Sequence, residues 1–289
     1  MKQLKSLRIA AVCCAALCAA VSGGTGAMAA DAVKTQTVHI TGDLNNNLKA
    51  EADDATDALT LFAYSCAGLE SNETTDRYRN ADVDQDGIIS AYDASVILTY
   101  YVQKVSGHDP LWADVRDPLS VTDTAAERID ERRPVYLEIG SVTGRAGEEV
   151  TVPVYIAGAD KLCGFQLYQL IPDGMGISDI HSLIGNQAEW NPQAEIYDLV
   201  VPDNETQEPE LVSRATCGAL VWVNDGGENL DISDGQKIAE FTYKIPENAA
   251  SGQNYVLTCD EEMTKFVCGA GDSIESYACT MISGVITVA

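Results

Sequence analysis

Residues 82–93 read DVDQDGIISAYD, and residues 43–54, thirty-nine positions upstream, read DLNNNLKAEADD. Each is a twelve-residue loop with oxygen-bearing side chains at positions 1, 3, 5, 9 and 12. That is the spacing with which a loop wraps Ca2+ in six to eight oxygens, position 7 contributing its backbone carbonyl. In the second loop the donors are Asp82, Asp84, Asp86, the Ile88 carbonyl, Ser90 and Asp93, with Gly87 where the chain must turn sharply. In the first they are Asp43, Asn45, Asn47, the Lys49 carbonyl, Glu51 and Asp54, and Leu48 stands in place of the glycine. Two neutral amides replace carboxylates there and Leu48 strains the turn, so two calcium ions are expected, the second loop holding its ion more tightly.

Each loop runs into an apolar-periodic segment, ATDALTLFAYSCAG after the first and ASVILTYYVQKVSG after the second. The shift of thirty-nine aligns Leu59 with Leu98, Thr60 with Thr99 and Phe62 with Tyr101, which marks an internal duplication. The stretches before the loops, KTQTVHITG and ETTDRYRNA, lack an apolar helical stripe, and both loops close on Asp. An EF-hand would have helices on both sides and a bidentate Glu at its end. A duplicated loop with an exiting helix and terminal Asp resembles the dockerin module of cellulosomes, over about 65 residues. The resemblance implies two antiparallel helices that present a cohesin-binding face. Matched by position, that face comprises Ala52, Asp53, Leu59, Thr60 and Tyr64 in the first repeat, and Ala91, Tyr92, Leu98, Thr99 and Gln103 in the second. Ala-Asp against Ala-Tyr at loop positions 10 and 11 makes the two halves unequal.

The rest of the chain bounds where such a module works. Residues 1–30 hold Lys2, Lys5 and Arg8, an apolar run from Ile9 to Val21, and an Ala27-Met28-Ala29 cleavage pattern, which reads as a secretory signal peptide. That run is too short for a good membrane span. The formal charge of −26 becomes −29 without those three basic residues, since the segment carries no acidic ones. Such a charge repels nucleic acid and anionic lipid and favours divalent cations. A secreted, extracellular protein is expected, associated with the cell surface through complex assembly. Cys66, Cys163, Cys217, Cys259, Cys268 and Cys279 remain; they lack metal-ligand spacing and mostly lie in apolar runs, which favours buried free thiols while leaving pairing open.

Residues 106–133, with Pro110, Pro118 and TDTAAERIDERR, read as a linker with room for one helical turn between a dockerin-like domain (31–105) and a second domain (134–289). In the second domain Val150, Val152, Val154 and Ile156 alternate with Glu149, Thr151, Pro153 and Tyr155, and Ala239, Phe241, Tyr243 and Ile245 alternate with Glu240, Thr242 and Lys244. Period-two runs separated by turns, without a long helical stripe, predict an all-β sandwich. IGSVTGRAGEEVTVPVYIAG, LCGFQLYQLIPDGM, GALVWVNDGG, DGQKIAEFTYKIPENAASGQNYVLT and the closing SGVITV resemble the strands of a cohesin in family order. Residues 182–212 align with nothing in that pattern. The resemblance implies a nine-stranded jelly-roll sandwich with a dockerin-binding sheet face.

Alternation places Ala219, Val221, Val223, Phe165 and Leu167 in the core, leaving Gln166, Tyr168, Leu220, Trp222 and Asn224 as the dockerin-binding candidates; a register one residue out would bury Trp222. His39, His108 and His181 stand in no metal or triad signature, so no enzyme is expected. Asn72-Glu73-Thr74 and Asn204-Glu205-Thr206 match glycosylation sequons. The reading is a small adaptor scaffoldin of a cellulosome-type complex. Its dockerin would bind a cohesin-bearing scaffoldin or anchor protein, and its cohesin would receive a dockerin-bearing enzyme or scaffold subunit. The alternatives are a head-to-tail self-assembling scaffold, and a carbohydrate-binding tether should the sandwich be a carbohydrate-binding module.

Overall fold

A computed structural model describes residues 40–69, 75–116, 135–159, 161–185, 188–200, 210–224, 228–233, 235–270, 273–277 and 279–289. The expected signal peptide, the arm to residue 39, the linker beyond residue 116 and both sequon asparagines lie outside the described residues. No helix among the described residues is long and apolar enough to cross a membrane.

The first module holds α1 (Ala52–Cys66), α2 (Thr75–Ala81), α3 (Ala91–Val105) and the short α4 (Trp112–Val115). Both long helices start in the same way. Glu51 and Ser90 are the N-caps, and Asp54 and Asp93, three residues on, return a carboxylate to the cap backbone, so each helix opens with a reciprocal capping box. Ala55, Ala58 and Leu61 of α1 and Ala94, Val96 and Ile97 of α3 then bury against one another with Leu44, Val83 and Ile89 from the loops. The seven-residue α2 corrects the expectation that no helix enters the second loop. It has no apolar stripe; long-range polar contacts hold it, Asn80 Nδ2 donating to the Asp43 carbonyl at 2.6 Å and Arg77 pairing with Asp57 at 2.6 Å.

The second domain is the expected sandwich. Its strands are β1 (Val135–Ile139), β2 (Val142–Gly144), β3 (Glu149–Ala157), β4 (Lys161–Leu162), β5 (Gly164–Leu170), β6 (Gly176–Ser182), β7 (Glu189–Val200) and β8 (Glu210–Val223), then β9 (Leu230–Asp231), β10 (Gln236–Lys244), β11 (Asn254–Leu257), β12 (Lys265–Ala270), β13 (Ser273–Ser276), β14 (Cys279–Ile282) and β15 (Gly284–Val288). One five-stranded sheet runs β14-β1-β3-β10-β6 and the other β13-β12-β5-β8-β7. The count exceeds nine because long runs break: Ser283 alone separates β14 from β15, and Gly140-Ser141 separate β1 from β2. β1 pairs with β14 and β2 with β15 in parallel, so the two ends of the domain close on each other. The stretch 182–212, which matched no family strand, contains all of β7 and the start of β8.

Between the sheets lie Leu137, Val152, Val154, Ile156, Phe165, Leu167, Leu220, Trp222, Phe241, Tyr243 and Phe266. Leu220 and Trp222 are therefore core residues, 0% and 1% exposed, and the outward orientation expected of them is corrected. The register with β5 explains this: Trp222 opposes Phe165 and Leu220 opposes Leu167, so the large side chains meet inside, the Phe165 and Trp222 ring centroids 5.5 Å apart. The turn after β6 closes over the indole, where a Cβ on Gly185 would lie 1.9 Å from Trp222 Nε1. Ala219, Val221 and Val223 take the opposite face. Trp222→Ala should accordingly cost about 3–5 kcal/mol in a urea titration of the sandwich. A surface residue would cost within about 0.5 kcal/mol, and that result would overturn the assignment.

Candidate metal loops and docking faces

The two loops share their hydrogen-bond pattern, except that Asn47 N also donates to Asp43 Oδ1 at 3.0 Å while the equivalent Asp82 Oδ1 accepts nothing. Asp43 Oδ2 accepts from Leu48 N at 2.8 Å and Asp82 Oδ2 from Gly87 N at 3.0 Å. Asn45 Oδ1 accepts from Asn47 N as Asp84 Oδ1 does from Asp86 N, and Asn47 Oδ1 accepts from Lys49 N as Asp86 Oδ1 does from Ile88 N. At the closing position Asp54 takes the amides of Leu44, Asn45 and Glu51, while Asp93 takes those of Val83, Asp84 and Ser90. Left-handed backbone recurs at Asn46 (φ 60°) and Gln85 (φ 62°), and at Leu48 (φ 67°) and Gly87 (φ 81°). Leu48 thus adopts a conformation that costs an L-residue about 1–2 kcal/mol, as its replacement of glycine implied.

The loops differ at their centres. In the second, carboxylate oxygens of Asp82, Asp84 and Asp86 lie within 4.8 Å of one another. Asp82 Oδ1 is buried without a hydrogen-bond partner, and Ser90 Oγ bridges the Tyr92 amide and Asp93. Burial, followed by the Asp93 charge, pushes Asp82 up to about 6 and Asp84 up to about 7; burial also raises Asp93. An orphaned anionic oxygen amid crowded carboxylates fits a hard cation with oxygen ligands. In the first loop the centre is partly closed by protein, Asn47 Nδ2 donating to Glu51 Oε2 at 2.8 Å. Lys49 is exposed beside it.

The exiting helices carry an exposed apolar surface. Leu59, Tyr64 and Leu98 are exposed, as are Asp53, Thr60 and Thr99, whereas Tyr92 and Gln103 are half-buried. Tyr92 packs against the module core. Thr60 Oγ1 donates to the Thr56 carbonyl and Thr99 Oγ1 to that of Ser95, which satisfies both hydroxyls within their own helices. Val102 and Val105, 50% and 63% exposed, extend the line from Leu98 at helical spacing and were not among the sequence candidates.

On the sandwich, the outer face of β12-β5-β8-β7 can be read off the registers as rows. Val267, Gly164 and Val223 form one; Lys265, Gln166, Val221 and Glu189 the next; Tyr168, Ala219 and Asn191 the third. Gln166 is 6% exposed, its Nε2 donating to the Met263 carbonyl at 2.6 Å, and Tyr168 is half-buried. Asn224 is half-buried, with Nδ2 on the Glu228 carbonyl at 2.7 Å. Of the five expected face residues, Tyr168 and Asn224 thus remain accessible, while Gln166 is largely covered and Leu220 and Trp222 are inside. Alternation missed Val221 and Val223 because both faces of β8 are apolar.

Raised carboxyls in the metal-free second loop favour its protonated form. Their contribution to stability is present below about pH 4 and lost as pH rises through 6 to 7. In chelator, the helical melting temperature should fall between about pH 4 and 7.5, and Asp84→Asn should flatten that slope, followed by circular dichroism. A flat wild-type profile would refute the crowding.

No family model matches the chain, and no curated protein does. Among solved structures, the chain is similar to the seventh ScaB type I cohesin from Pseudobacteroides cellulosolvens, with 18% identity over 54% of this chain and 92% of that one, TM-score 0.38. It is similar to the third ScaC cohesin of Acetivibrio cellulolyticus in complex with the ScaB dockerin (17% identity, 53% and 98% covered, TM-score 0.40). A third is the third ScaB cohesin of R. flavefaciens in complex with a group 1 dockerin (18% identity, 54% and 95% covered, TM-score 0.37). At these identities and scores the likenesses decide neither partner nor role, and the sandwich stands on its own strand order.

Proposed function

We propose that the chain is a non-catalytic, secreted adaptor scaffoldin of an extracellular polysaccharide-degrading complex. Its dockerin-like module docks onto a cohesin of another scaffoldin or a surface anchor, and its sandwich receives a dockerin-bearing enzyme or scaffold subunit. The observation that carries the reading is the repeated loop geometry, with its orphaned Asp82 oxygen and an exposed apolar helix line beside it. Calcium, when bound, neutralises the crowded carboxylates. Asp82, Asp84, Asp86, the Ile88 carbonyl, Ser90 and Asp93 would hold one ion. Asp43, Asn45, Asn47, the Lys49 carbonyl, Glu51 and Asp54 would hold a second more weakly, because Asn47 and Glu51 already satisfy each other.

Leu59, Tyr64, Leu98 and Val102 would anchor the cohesin, and Tyr168, Val221 and Val223 the incoming dockerin, in keeping with the role of apolar and aromatic residues at interface centres. The carbohydrate-binding alternative loses Trp222, the aromatic it most needed, to the core.

Binding of the full chain to cohesin-bearing and dockerin-bearing proteins of the source organism's secreted fraction tests this. Leu98→Asp and chelator should each weaken cohesin binding at least about 100-fold and leave dockerin binding intact. Val221→Arg should do the reverse. Binding of neither class would reject the adaptor, and calcium-dependent polymerisation of the chain alone in sedimentation would replace it with the head-to-tail scaffold.

A further inference from the structure

Residues 106–133 read as a linker, yet their described part is a joint. Trp112 of α4 is 4% exposed and stacks on Tyr100 of α3, ring centroids 4.0 Å apart and planes 1° from parallel. Its backbone N–H donates to both carboxylate oxygens of Glu138 on β1, at 3.1 and 3.0 Å. Glu138 is 7% exposed on the face of β1 opposite Leu137 and Ile139. Ile282 of β14, its register partner, is buried within the core of the calcium-loop module. The Arg116 guanidinium lies over the Tyr136 ring at 4.8 Å, its Nε and Nη2 buried without hydrogen-bond partners, within electrostatic reach of Glu138, Asp84 and Asp82.

These contacts form an unbroken chain. Asp93 closes the second loop and caps α3, α3 carries Tyr100, Tyr100 holds Trp112, and Trp112 is fastened to β1. Arg116 adds a second route from the same loop to Tyr136. The remaining surfaces stay clear: the joint uses the outer face of β1 and β14, in the sheet opposite to the one that carries Val221 and Tyr168.

We infer that the outer face of β1 and β14 is a docking surface for the chain's own calcium-loop module, and that an ion in the second loop tightens this joint, setting the two partner faces at a fixed angle. The inference rests on the calcium reading for its switch, though not for the joint itself. Without an ion the crowded carboxylates loosen the loop, Asp93 releases the start of α3, and Tyr100 no longer presents a fixed plate to Trp112.

Small-angle scattering of the mature full chain, with calcium and with chelator, beside calorimetric titration of calcium alone, tests both parts. Calcium should give one compact particle and chelator a more extended, broader distribution, and the sandwich unfolding midpoint should rise by about 3 °C or more with calcium. Trp112→Ala should look extended in calcium while still taking up the ion. Should Trp112→Ala fail to fold, Glu138→Ala gives the same test from the sandwich side, away from the loops. Unchanged scattering in Glu138→Ala overturns the joint. Calcium uptake with scattering and midpoint unaltered overturns the coupling alone. Absence of calcium uptake rejects the calcium reading and with it the switch, and Glu138→Ala then decides the joint alone.

Discussion

A module of about 65 residues has too little apolar surface to hold two helices together unaided. Three of the six residues that build its buried helix faces are alanines, Ala55, Ala58 and Ala94, which allow close approach but bury little apolar area, so Leu61, Val96 and Ile97 supply most of the helix-to-helix burial. Everything distinctive about the module answers that shortage. Two loops wind back onto their own carboxylates, each loop's last Asp also starts a helix, and two large apolar groups, Trp112 and Ile282, are contributed from outside the repeat.

The sandwich meets no such shortage. Two facing five-stranded sheets enclose a core of Phe, Trp, Ile, Val and Leu, and parallel pairing of β1 with the penultimate strand β14 leaves their outer face in one continuous piece. That face is where Glu138 and Ile282 meet the module. A carboxylate buried there is costly alone. Both of its oxygens accept the Trp112 amide, and burial still lifts it to about 7. The joint therefore covers a carboxylate that water would otherwise hydrate, and the Trp112 amide offsets only part of that cost.

What could be read from the sequence divides along a physical line. The loop turns were legible because their chemistry is local: Asp and Asn at fixed spacing accept backbone amides two residues on, without reference to the rest of the chain. The sandwich was legible in β3 and β10, where polar residues mark the outer face. It was not legible in β8, because Ala219, Val221 and Val223 are as apolar as Leu220 and Trp222, and only pairing with β5 decides which set turns inward. α2 and the joint were invisible for a related reason: Asn80, Arg77, Trp112 and Arg116 owe their positions to residues twenty or more places away.

None of the six cysteines among the described residues is in a disulfide, which bears on how the molecule is made. Burial pushes the Cys217 thiol up to about 11 and that of Cys279 to about 12, and raises Cys259 further, so these sulfurs stay protonated and resist oxidants. Cys66, at the end of α1, is the one exposed thiol among them. A chain that needs no oxidative folding can mature in a reducing compartment or an oxygen-free habitat without disulfide catalysts. In the laboratory, the same feature leaves Cys66 as the most accessible handle for a fluorophore, at the tip of the helix pair.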